Sequence, residues 1–289
     1  VLANDLDLSC YPNWVPIGLW TEKKWSIFKG TFDGKNHTIY NLRINLVNSN
    51  EVGLFGSVQG TVINLKIKDA DVIGDSDVGI LCGFAMKGSY TNCTVSGRVR
   101  GNEYVGGIIG RSSANISNSS SDVVAKGIKY TGGIIGSNSA VISKCTSMGE
   151  IFSYDIAGGI SGHSGEIINS INKAIVKGSQ NVGGIAGTIS SHDTVKNCTN
   201  NGLVTGKDYI GGISGRYDFL GTIEKCNNRG NVTGRHYVGG IVGENSIGNT
   251  NSCTNYGSVT GVSFVGGVIG LRGYYSKEEE VVDCINKGK

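Results

Sequence analysis

Five acidic side chains near the start of the chain are of the type that binds a hard cation. Four of them, Asp69, Asp71, Asp75 and Asp77, lie within the stretch KDADVIGDSDVG, and Glu51 precedes them. Clustered carboxylates suit Ca²⁺, but their spacing does not match the loop of an EF-hand, and solvated turns are also commonly acidic. The sequence therefore offers two hypotheses for these residues, a calcium site and a solvated acidic turn.

Eight cysteines form the second set of reactive side chains, and six of them recur at one position of a repeat: Cys93, Cys145, Cys198, Cys226, Cys253 and Cys284. No C-x-x-C pair occurs, and a zinc site needs four ligands that converge on a point rather than a line. We expect buried free thiols here. A disulfide between neighbouring members of the row, or a metal site, is the alternative.

Aromatic residues recur before Val-Gly-Gly or a similar tripeptide at five places: Tyr104, Tyr130, Tyr209, Tyr237 and Phe264. Rings at such regular intervals can stack on one another and stabilise the fold. An exposed row of rings can also bind a sugar or a partner protein. These five residues are the candidate ligand-binding set, and both interpretations stay open at this point.

Motifs for other kinds of catalysis are missing from the sequence. It has no H-E-x-x-H, no G-x-S-x-G and no P-loop, and its four histidines form no pair at metal-ligand spacing. Glu51 and Asp77 form an acid pair of the kind that a polysaccharide hydrolase uses, but no basic or aromatic cleft accompanies them. We therefore expect a protein that is not an enzyme and that needs no cofactor apart from the Ca²⁺ considered above.

A repeat of about 27 residues sets these spacings. The motif V-G-G-I-x-G and its variants place their first glycine at Gly53, Gly79, Gly106, Gly132, Gly158, Gly183, Gly211, Gly239 and Gly266. Successive positions differ by 25 to 28 residues. Such a period is typical of solenoids, in which each repeat stacks on the next.

Short pieces within each repeat, such as GNVTG and GTIEKC, alternate Val or Ile with polar residues and are bounded by Gly and Asn. This pattern predicts β-strands, about three in each repeat. We therefore predict an all-β protein, a right-handed parallel β-helix (β-solenoid) of about nine to ten coils. Residues 1–45 should form an N-terminal cap and first coil, and residues 46–289 the repeats.

Equivalent residues of successive coils should form columns in this fold. The aliphatic residue after the glycine pair, from Ile108 to Val268, is predicted to be core, and the residue that follows it to be a partly exposed wall. Asparagines two positions after the cysteines are predicted to form a hydrogen-bonded ladder at a turn: Asn172, Asn200, Asn228, Asn255 and Asn286.

Composition excludes several other classes of protein. The chain has 289 residues, of which 47 are glycine and 2 are proline, and 38% are hydrophobic, which excludes collagen and argues against disorder. Charges of both signs are interspersed with a net charge of +3, so no nucleic-acid partner is expected. No apolar run approaches the ~20 residues of a membrane span.

The phrase G-G-I-x-G, followed by N-C-x-N-x-G-x-V-x-G, resembles the GLUG-motif repeats of bacterial surface proteins, and VGLFG at 52–56 is nearest to the form that names the motif. The segments DLDLS, WVPIG and FKGTFDGKNHTIYNLRI resemble the opening of such proteins. The resemblance covers nearly the whole chain. It implies a β-helix from a cell-wall or secreted protein, such as an adhesin-like chain or the non-catalytic region of an IgA-cleaving metallopeptidase.

The resemblance implies an extracellular or cell-surface location, with a glycan or a host or cell-surface protein as partner. We therefore expect a non-catalytic β-helix that acts as an adhesin-like binding or spacer module. The first alternative is a structural subunit of an extracellular filament that assembles end to end. The second is a carbohydrate-active enzyme on a β-helix scaffold.

The sequence also allows predictions for the two ends of the solenoid. Trp14, Trp20 and Trp25 are expected to cap the first coil, because residues 1–45 depart from the repeat. The last repeat stops in mid-coil at Lys289. We expect either that the native chain continues or that another subunit completes the coil by self-association through the solenoid ends.

Overall fold

A computed structural model describes residues 1–21, 24–190, 192–217, 220–273 and 280–289, with residues 20, 21, 24 and 25 represented by their backbone alone. These residues form a β-solenoid of about nine coils stacked in parallel, and no helix occurs among them. Accordingly, this part of the chain has no helix that is long and apolar enough to cross a membrane. Most coils contribute to four parallel sheets, numbered I to IV in chain order within a coil.

Sheets I and II flank the glycine pair of the repeat. The strands of sheet I end at the first glycine of the pair: Ser76–Gly79, Glu103–Gly106, Lys129–Gly132, Ala157–Gly158, Gln180–Gly183, Asp208–Gly211, His236–Gly239 and Ser263–Gly266. The strands of sheet II begin directly after the aliphatic residue that follows the pair: Phe55–Val58, Cys82–Ala85, Ile109–Ser112, Ile135–Asn138, Ser161–Ser164, Ala186–Ile189, Ser214–Tyr217, Val242–Asn245 and Ile269–Arg272.

Sheets III and IV complete each coil. The strands of sheet III are Thr31–Asp33, Thr61–Ile63, Ser89–Thr91, Asn115–Ser117, Val141–Ser143, Glu166–Ile168, Thr194–Lys196, Gly221–Glu224, Gly248–Asn251 and Val281–Val282. Those of sheet IV are Leu6–Asp7, Thr38–Tyr40, Arg43–Asn45, Lys66–Ile73, Thr94–Arg100, Ser120–Gly127, Thr146–Ser153, Ile171–Asn172, Ile175–Gly178, Thr199–Asn200, Val204–Thr205, Asn227–Asn228, Val232–Thr233, Thr254–Asn255, Val259–Thr260 and Ile285–Asn286. Trp20–Thr21 and Lys24–Trp25 pair separately as an antiparallel hairpin.

The structure corrects the expected number of strands in a coil from about three to four. The piece YVGGIVG at 237–243 reads as one strand, but it contributes to both His236–Gly239 and Val242–Asn245. Gly240 lies between the two strands, where an added Cβ would overlap the carbonyl oxygen of Gly267 in the next coil. A side chain at this position would therefore collide with the backbone of the next coil.

The aliphatic column after the glycine pair is core, as predicted, except at its last member: Ile108, Ile134, Ile160, Ile185, Ile213 and Ile241 are fully buried. Val268 is half-buried and packs against the core. The next residue of each repeat was expected to be a partly exposed wall, and this prediction is wrong. Ile109, Ile135 and Val242 at that position are also fully buried. Because the chain turns a corner between sheets I and II, two consecutive residues face the interior, which breaks the alternation of a straight strand.

Residues 1–45 lie against the first repeat and extend its sheets. Leu6–Asp7 pairs in parallel with Thr38–Tyr40 in sheet IV. Trp14 packs against the hydrophobic core and donates its ring N–H to the carbonyl oxygen of Leu54 at 3.3 Å. The side chains of Trp20 and Trp25, which were expected to share the capping role, lie outside the described residues.

Candidate functional site

The residue before Val-Gly-Gly or its variant occupies a left-handed corner in nearly every coil. Its φ lies between 48° and 60° at Glu51, Asp77, Tyr104, Tyr130, Asn181, Tyr209, Tyr237 and Phe264. A β-branched residue tolerates this conformation poorly. Ile156, at the same position, has no positive φ, and the strand of sheet I shortens there to Ala157–Gly158.

The third glycine of the repeat makes room for this corner. A Cβ added to Gly136 would lie 2.5 Å from the carbonyl carbon of Tyr104, and one added to Gly243 would lie 2.6 Å from that of Tyr209. A side chain on the third glycine would therefore push out the corner residue of the preceding coil. The motif V-G-G-I-x-G thus sets the position at which the side chain of the corner residue points outward from the rod.

The five predicted aromatic residues form two stacks along the rod, which together we call the aromatic column. The rings of Tyr104 and Tyr130 are parallel within 1°, with centroids 5.2 Å apart. In the second stack the ring of Tyr237 lies 4.8 Å from that of Tyr209 and 5.0 Å from that of Phe264. The tyrosines are half-buried and Phe264 is exposed, so the stacks cover most ring faces and leave edges and hydroxyl groups to solvent.

Cationic side chains lie over rings of the aromatic column. The Arg111 guanidinium carbon is 5.3 Å from the Tyr104 ring centroid, and that of Arg216 is 5.5 Å from the Tyr209 centroid. Lys129 lies over the Tyr130 ring at 4.6 Å. These contacts stabilise the rings by about 0.5–1 kcal/mol each at exposed sites. They also occupy ring faces that a sugar would need for stacking.

Acidic residues occupy the corner position in the first two repeats. The Asp77 carboxylate is buried and lies 2.9 Å from Nε of Arg111. Burial raises the pKa of Asp77 to about 6, with Glu51 and Glu103 also raising it and Arg111 opposing them. Glu51 accepts a hydrogen bond from the Ser57 hydroxyl. Asp77 is therefore a paired, buried acid rather than one that faces an open cleft.

The five carboxylates predicted for calcium are distributed among separate contacts. Asp71 is bound by arginines, Asp75 accepts a hydrogen bond from the Asn102 amide at 2.5 Å, and Asp69 is exposed. The described part of the chain contains no group of three or more His, Cys, Asp or Glu residues that could hold a metal ion. Calcium binding stays a prediction, which calorimetric titration with Ca²⁺ tests.

The cysteine column provides hydrogen-bond donors directly after a second left-handed corner, which the preceding residue forms in each of these coils, such as Asn92 before Cys93 and Asn197 before Cys198. All eight cysteines are free thiols, and six of them, including Cys82 of sheet II, are buried. Cys198 Sγ donates to the carbonyl oxygen of Lys196 at 3.3 Å, and Ser119 Oγ in the same column donates to that of Ser117 at 2.8 Å. A small side chain with a donor suits this position, which explains why cysteine and serine interchange there.

Burial also makes two thiols of the column, those of Cys93 and Cys145, unreactive. It raises the pKa of Cys93 and of Cys145 to about 12. The thiol rather than the thiolate is then present at neutral pH, and the thiol is a weak nucleophile. Cys10, which lies outside the column, is exposed.

The asparagines form a ladder inside the rod. Each amide nitrogen donates to the amide oxygen of the next asparagine at 2.8 Å, from Asn172 through Asn200, Asn228 and Asn255 to Asn286. The same amide nitrogen donates to the carbonyl oxygen two residues along the chain, at 2.8 Å from Asn228 to Gly230. The first four asparagines are fully buried. A side chain on the second glycine of the repeat would overlap these amides, as at Gly212.

Sequence reasoning missed a pocket beside sheet III. The pocket has a volume of about 330 Å³, and Glu166, His192 and Asp193 contribute to its lining. Burial raises the pKa of Asp193 to about 6, and the negative charge of Glu166 raises it further. These residues lie at variable positions of the repeat, so no spacing pattern in the sequence points to them.

Comparison with known proteins supports the fold. No family model matches the chain, and the resemblance to GLUG repeats therefore stays a prediction. The chain is 40% identical to halomucin of Haloquadratum walsbyi over 90 residues, which cover 30% of this chain and 1% of halomucin. It is 34% identical over 93 residues to an immunoglobulin A1 protease of Streptococcus sanguinis, covering 32% of this chain and 5% of that protein.

A solved structure is similar over a longer part of the chain. The crystal structure of a candidate immunoglobulin A1 protease from Bacteroides ovatus matches 78% of this chain and 70% of that one with a TM-score of 0.61, at 22% sequence identity. An identity this low shows a shared fold alone. Both sequence relatives are far longer than the stretch that they share with this chain.

Proposed function

We propose that the chain is a non-catalytic β-solenoid module of an extracellular or cell-surface protein, where it acts as a stiff spacer that presents contact surfaces. The continuity of its columns supports this role most directly, because the asparagine ladder passes without a break through five successive coils. About nine coils at ~4.8 Å each give a rod roughly 40 to 45 Å long. A rod with such internal order resists bending between the segments that it separates.

The proposed location rests on a relative. One sequence relative is an immunoglobulin A1 protease, and immunoglobulin A1 is a secreted antibody that such a protease meets outside the cell. The matched stretch covers 5% of that relative. The proposal therefore transfers a location and a spacer role to this chain, and not the protease activity.

The geometry of the predicted acid pair, Glu51 and Asp77, favours a role without polysaccharide hydrolysis. The acid pair considered for polysaccharide hydrolysis consists of Asp77, which is buried against Arg111, and Glu51, which is bonded to Ser57. A glycoside hydrolase instead needs two carboxyl groups that flank an accessible sugar. The aromatic column supports a structural role in the same way, because most of its ring faces are covered by other rings and by cations.

Two measurements on the purified chain test this proposal. Small-angle X-ray scattering should show a single rigid particle whose scattering curve matches that of the solenoid, and incubation with a panel of polysaccharides should release no reducing sugar. A curve that only a mixture of flexible shapes can match would contradict the spacer role. Release of reducing sugar would contradict the non-catalytic role and would favour a carbohydrate-active enzyme.

Assembly into a filament stays the second candidate function, because the coils of one copy can stack on those of another through the same parallel pairing that joins neighbouring coils here. Electron microscopy at increasing protein concentration tests this candidate: end-to-end rods would support it, and single particles of constant length would contradict it.

A further inference from the structure

The outer face of sheet IV carries a row of cations, which we call the basic strip: Arg43, Arg98, Arg100, Lys126 and Lys177. Parallel pairing brings them together from different coils. Arg43 and Arg98 flank Asp71 in one column. In the neighbouring column Arg100 pairs with Lys126, and Phe152 then separates Lys126 from Lys177. Five coil steps of ~4.8 Å make the strip about 24 Å long.

Three guanidinium groups of the strip share a single carboxylate. The nearest nitrogen of Arg98, Arg100 and Arg43 lies 2.9, 3.2 and 3.6 Å from the Asp71 carboxylate. The Asp71 side chain is 18% exposed, whereas that of Arg98 is 59% exposed. One carboxylate neutralises one of the three charges, so two positive charges remain directed at solvent.

The rest of the strip adds to this excess. Lys177 is paired with Glu150 at 2.9 Å, and the exposed Lys126 has no ion-pair partner among the described residues. The strip therefore holds five cations and two carboxylates. Next to it on the same sheet lie one cation, Lys68, and two acids, Asp69 and Asp122, which are exposed but belong to a separate column.

We infer that the basic strip binds an anionic polysaccharide that carries sulfate or carboxylate groups along its length. Arginine presents a planar fork of donors that matches the oxygens of both groups. The rigid sheet holds these forks at intervals of one coil, so an extended polymer could contact several of them without ordering the protein. This inference adds a ligand class to the proposed surface module, and it rests on that proposal only for where the polymer is met.

Apolar side chains within the strip favour a polysaccharide over a nucleic acid. Phe152 and Ile175 are 42% and 38% exposed and lie among the cations, where they can contact the apolar faces of sugar rings. A single-stranded nucleic acid would need a series of aromatic platforms on which successive bases stack. Phe152 is the one aromatic residue in the two columns of the strip.

The test measures binding of the full chain to heparin, a sulfated probe, and to polygalacturonate, a carboxylated one, in 50 and 150 mM NaCl. We expect both probes to bind, more weakly in the higher salt because exposed charges are then screened. The double variant Arg98→Gln/Arg100→Gln should lose about tenfold or more in affinity, since it removes two charge-assisted contacts. The single variant Lys126→Gln leaves every observed ion pair intact and should lose about threefold.

A matched control removes the same charge elsewhere on the rod. Lys29→Gln/Lys87→Gln changes two exposed cations that lie between the strands of sheets II and III, away from the strip on sheet IV, and should bind both probes like the wild type. Equal binding by the strip variants, an equal loss in the control, or equally tight binding of a single-stranded DNA oligonucleotide would overturn the inference. Circular dichroism of each variant shows whether it is folded, and the particle shape measured by scattering tests the spacer role separately.

Discussion

The early and late coils of the solenoid fill one interior column with different side chains. In the early coils the column on sheet IV contains Val95, Ser121 and Ser147, and the strands there are seven or eight residues long. From Asn172 onward the column is asparagine, and sheet IV divides into pairs of short strands such as Ile171–Asn172 and Ile175–Gly178.

The difference shows how one side chain reshapes a sheet. Asn172 donates to the carbonyl oxygen of Ala174 and accepts from the N–H of Ala174, both at 3.0 Å. An asparagine that bonds its own backbone two residues further on promotes a bend. In the late coils, two short strands and the buried asparagine ladder thus replace the long strand of sheet IV. The early coils keep their long strands, and most of the basic strip lies on them.

The largest expected effect comes from breaking the ladder. Asn228→Leu removes three buried hydrogen bonds, to the Asn200 amide nitrogen, the Asn255 amide oxygen and the Gly230 carbonyl oxygen. Asn200 and Asn255 keep their hydrogen bonds to the backbone of Gly202 and Gly257. At about 1 kcal/mol for each bond removed, we expect a loss of about 3 kcal/mol in the free energy of unfolding. Urea-induced unfolding followed by circular dichroism measures it.

The early coils provide the matched control for the ladder. The Ser147 hydroxyl occupies the same column but has no hydrogen-bond partner among the described residues. Ser147→Ala should therefore change the free energy of unfolding by less than about 1 kcal/mol. Similar losses in Asn228→Leu and Ser147→Ala would mean that hydrogen bonds in this column contribute no more stability in the late coils than in the early ones.

A smaller effect is expected at the left-handed corner. Tyr237→Val and Tyr237→Asn both remove the ring that contacts Tyr209 and Phe264, but asparagine tolerates a φ of 55° and valine does not. The valine variant should be less stable than the asparagine variant by about 1 kcal/mol or more. The same urea titration compares them, and a more stable valine variant would contradict the corner geometry.

A further effect is a response of the early coils to pH, caused by the buried acid at the left-handed corner. The pKa of Asp77 is raised to about 6, above its usual 3.8, because the carboxylate is buried. The folded state therefore holds this proton more tightly than the unfolded state, so the stabilisation is present below pH 4 and is lost as the pH rises through 6.

Replacing this acid isolates its contribution. The free energy of unfolding of the wild type should fall more steeply between pH 4 and pH 7 than that of Asp77→Asn. Asp193, whose pKa is also raised to about 6, is present in both proteins and cancels in the comparison. Parallel pH profiles would show that Asp77 titrates as it does in the unfolded chain.

The repeat period was enough to predict the stacked β-coils and the columns. The spacing of Tyr209 and Tyr237 placed their rings in one column, because equivalent residues of successive coils must lie over one another. The sequence did not predict the left-handed corner. The residues at this position, among them tyrosine, aspartate and asparagine, have no chemical property in common that indicates a positive φ. The fourth sheet was missed because the glycine pair reads as part of one strand.

The basic strip shows why side-chain partners across coils are harder to predict. Val95 pairs with Ile67, a separation of 28 residues, but Gly97 pairs with Ala70, a separation of 27. This bulge shifts the register by one residue, which decides whether Arg98 lies beside Asp71 or beside its neighbour. The average period does not carry that information.

The central claim is that the coils stack in register, and distances along one column test it most directly. One column of sheet IV contains one residue from each of six successive coils: Lys126, Phe152, Lys177, Thr205, Thr233 and Thr260. Spin labels at position 126 and at 205, 233 or 260, with the exposed Cys10 and the half-exposed Cys284 replaced by serine, give three distances by electron paramagnetic resonance. The account predicts about 14, 19 and 24 Å between backbone positions, a rise of ~4.8 Å per coil. Distances that do not increase steadily from pair to pair would contradict it.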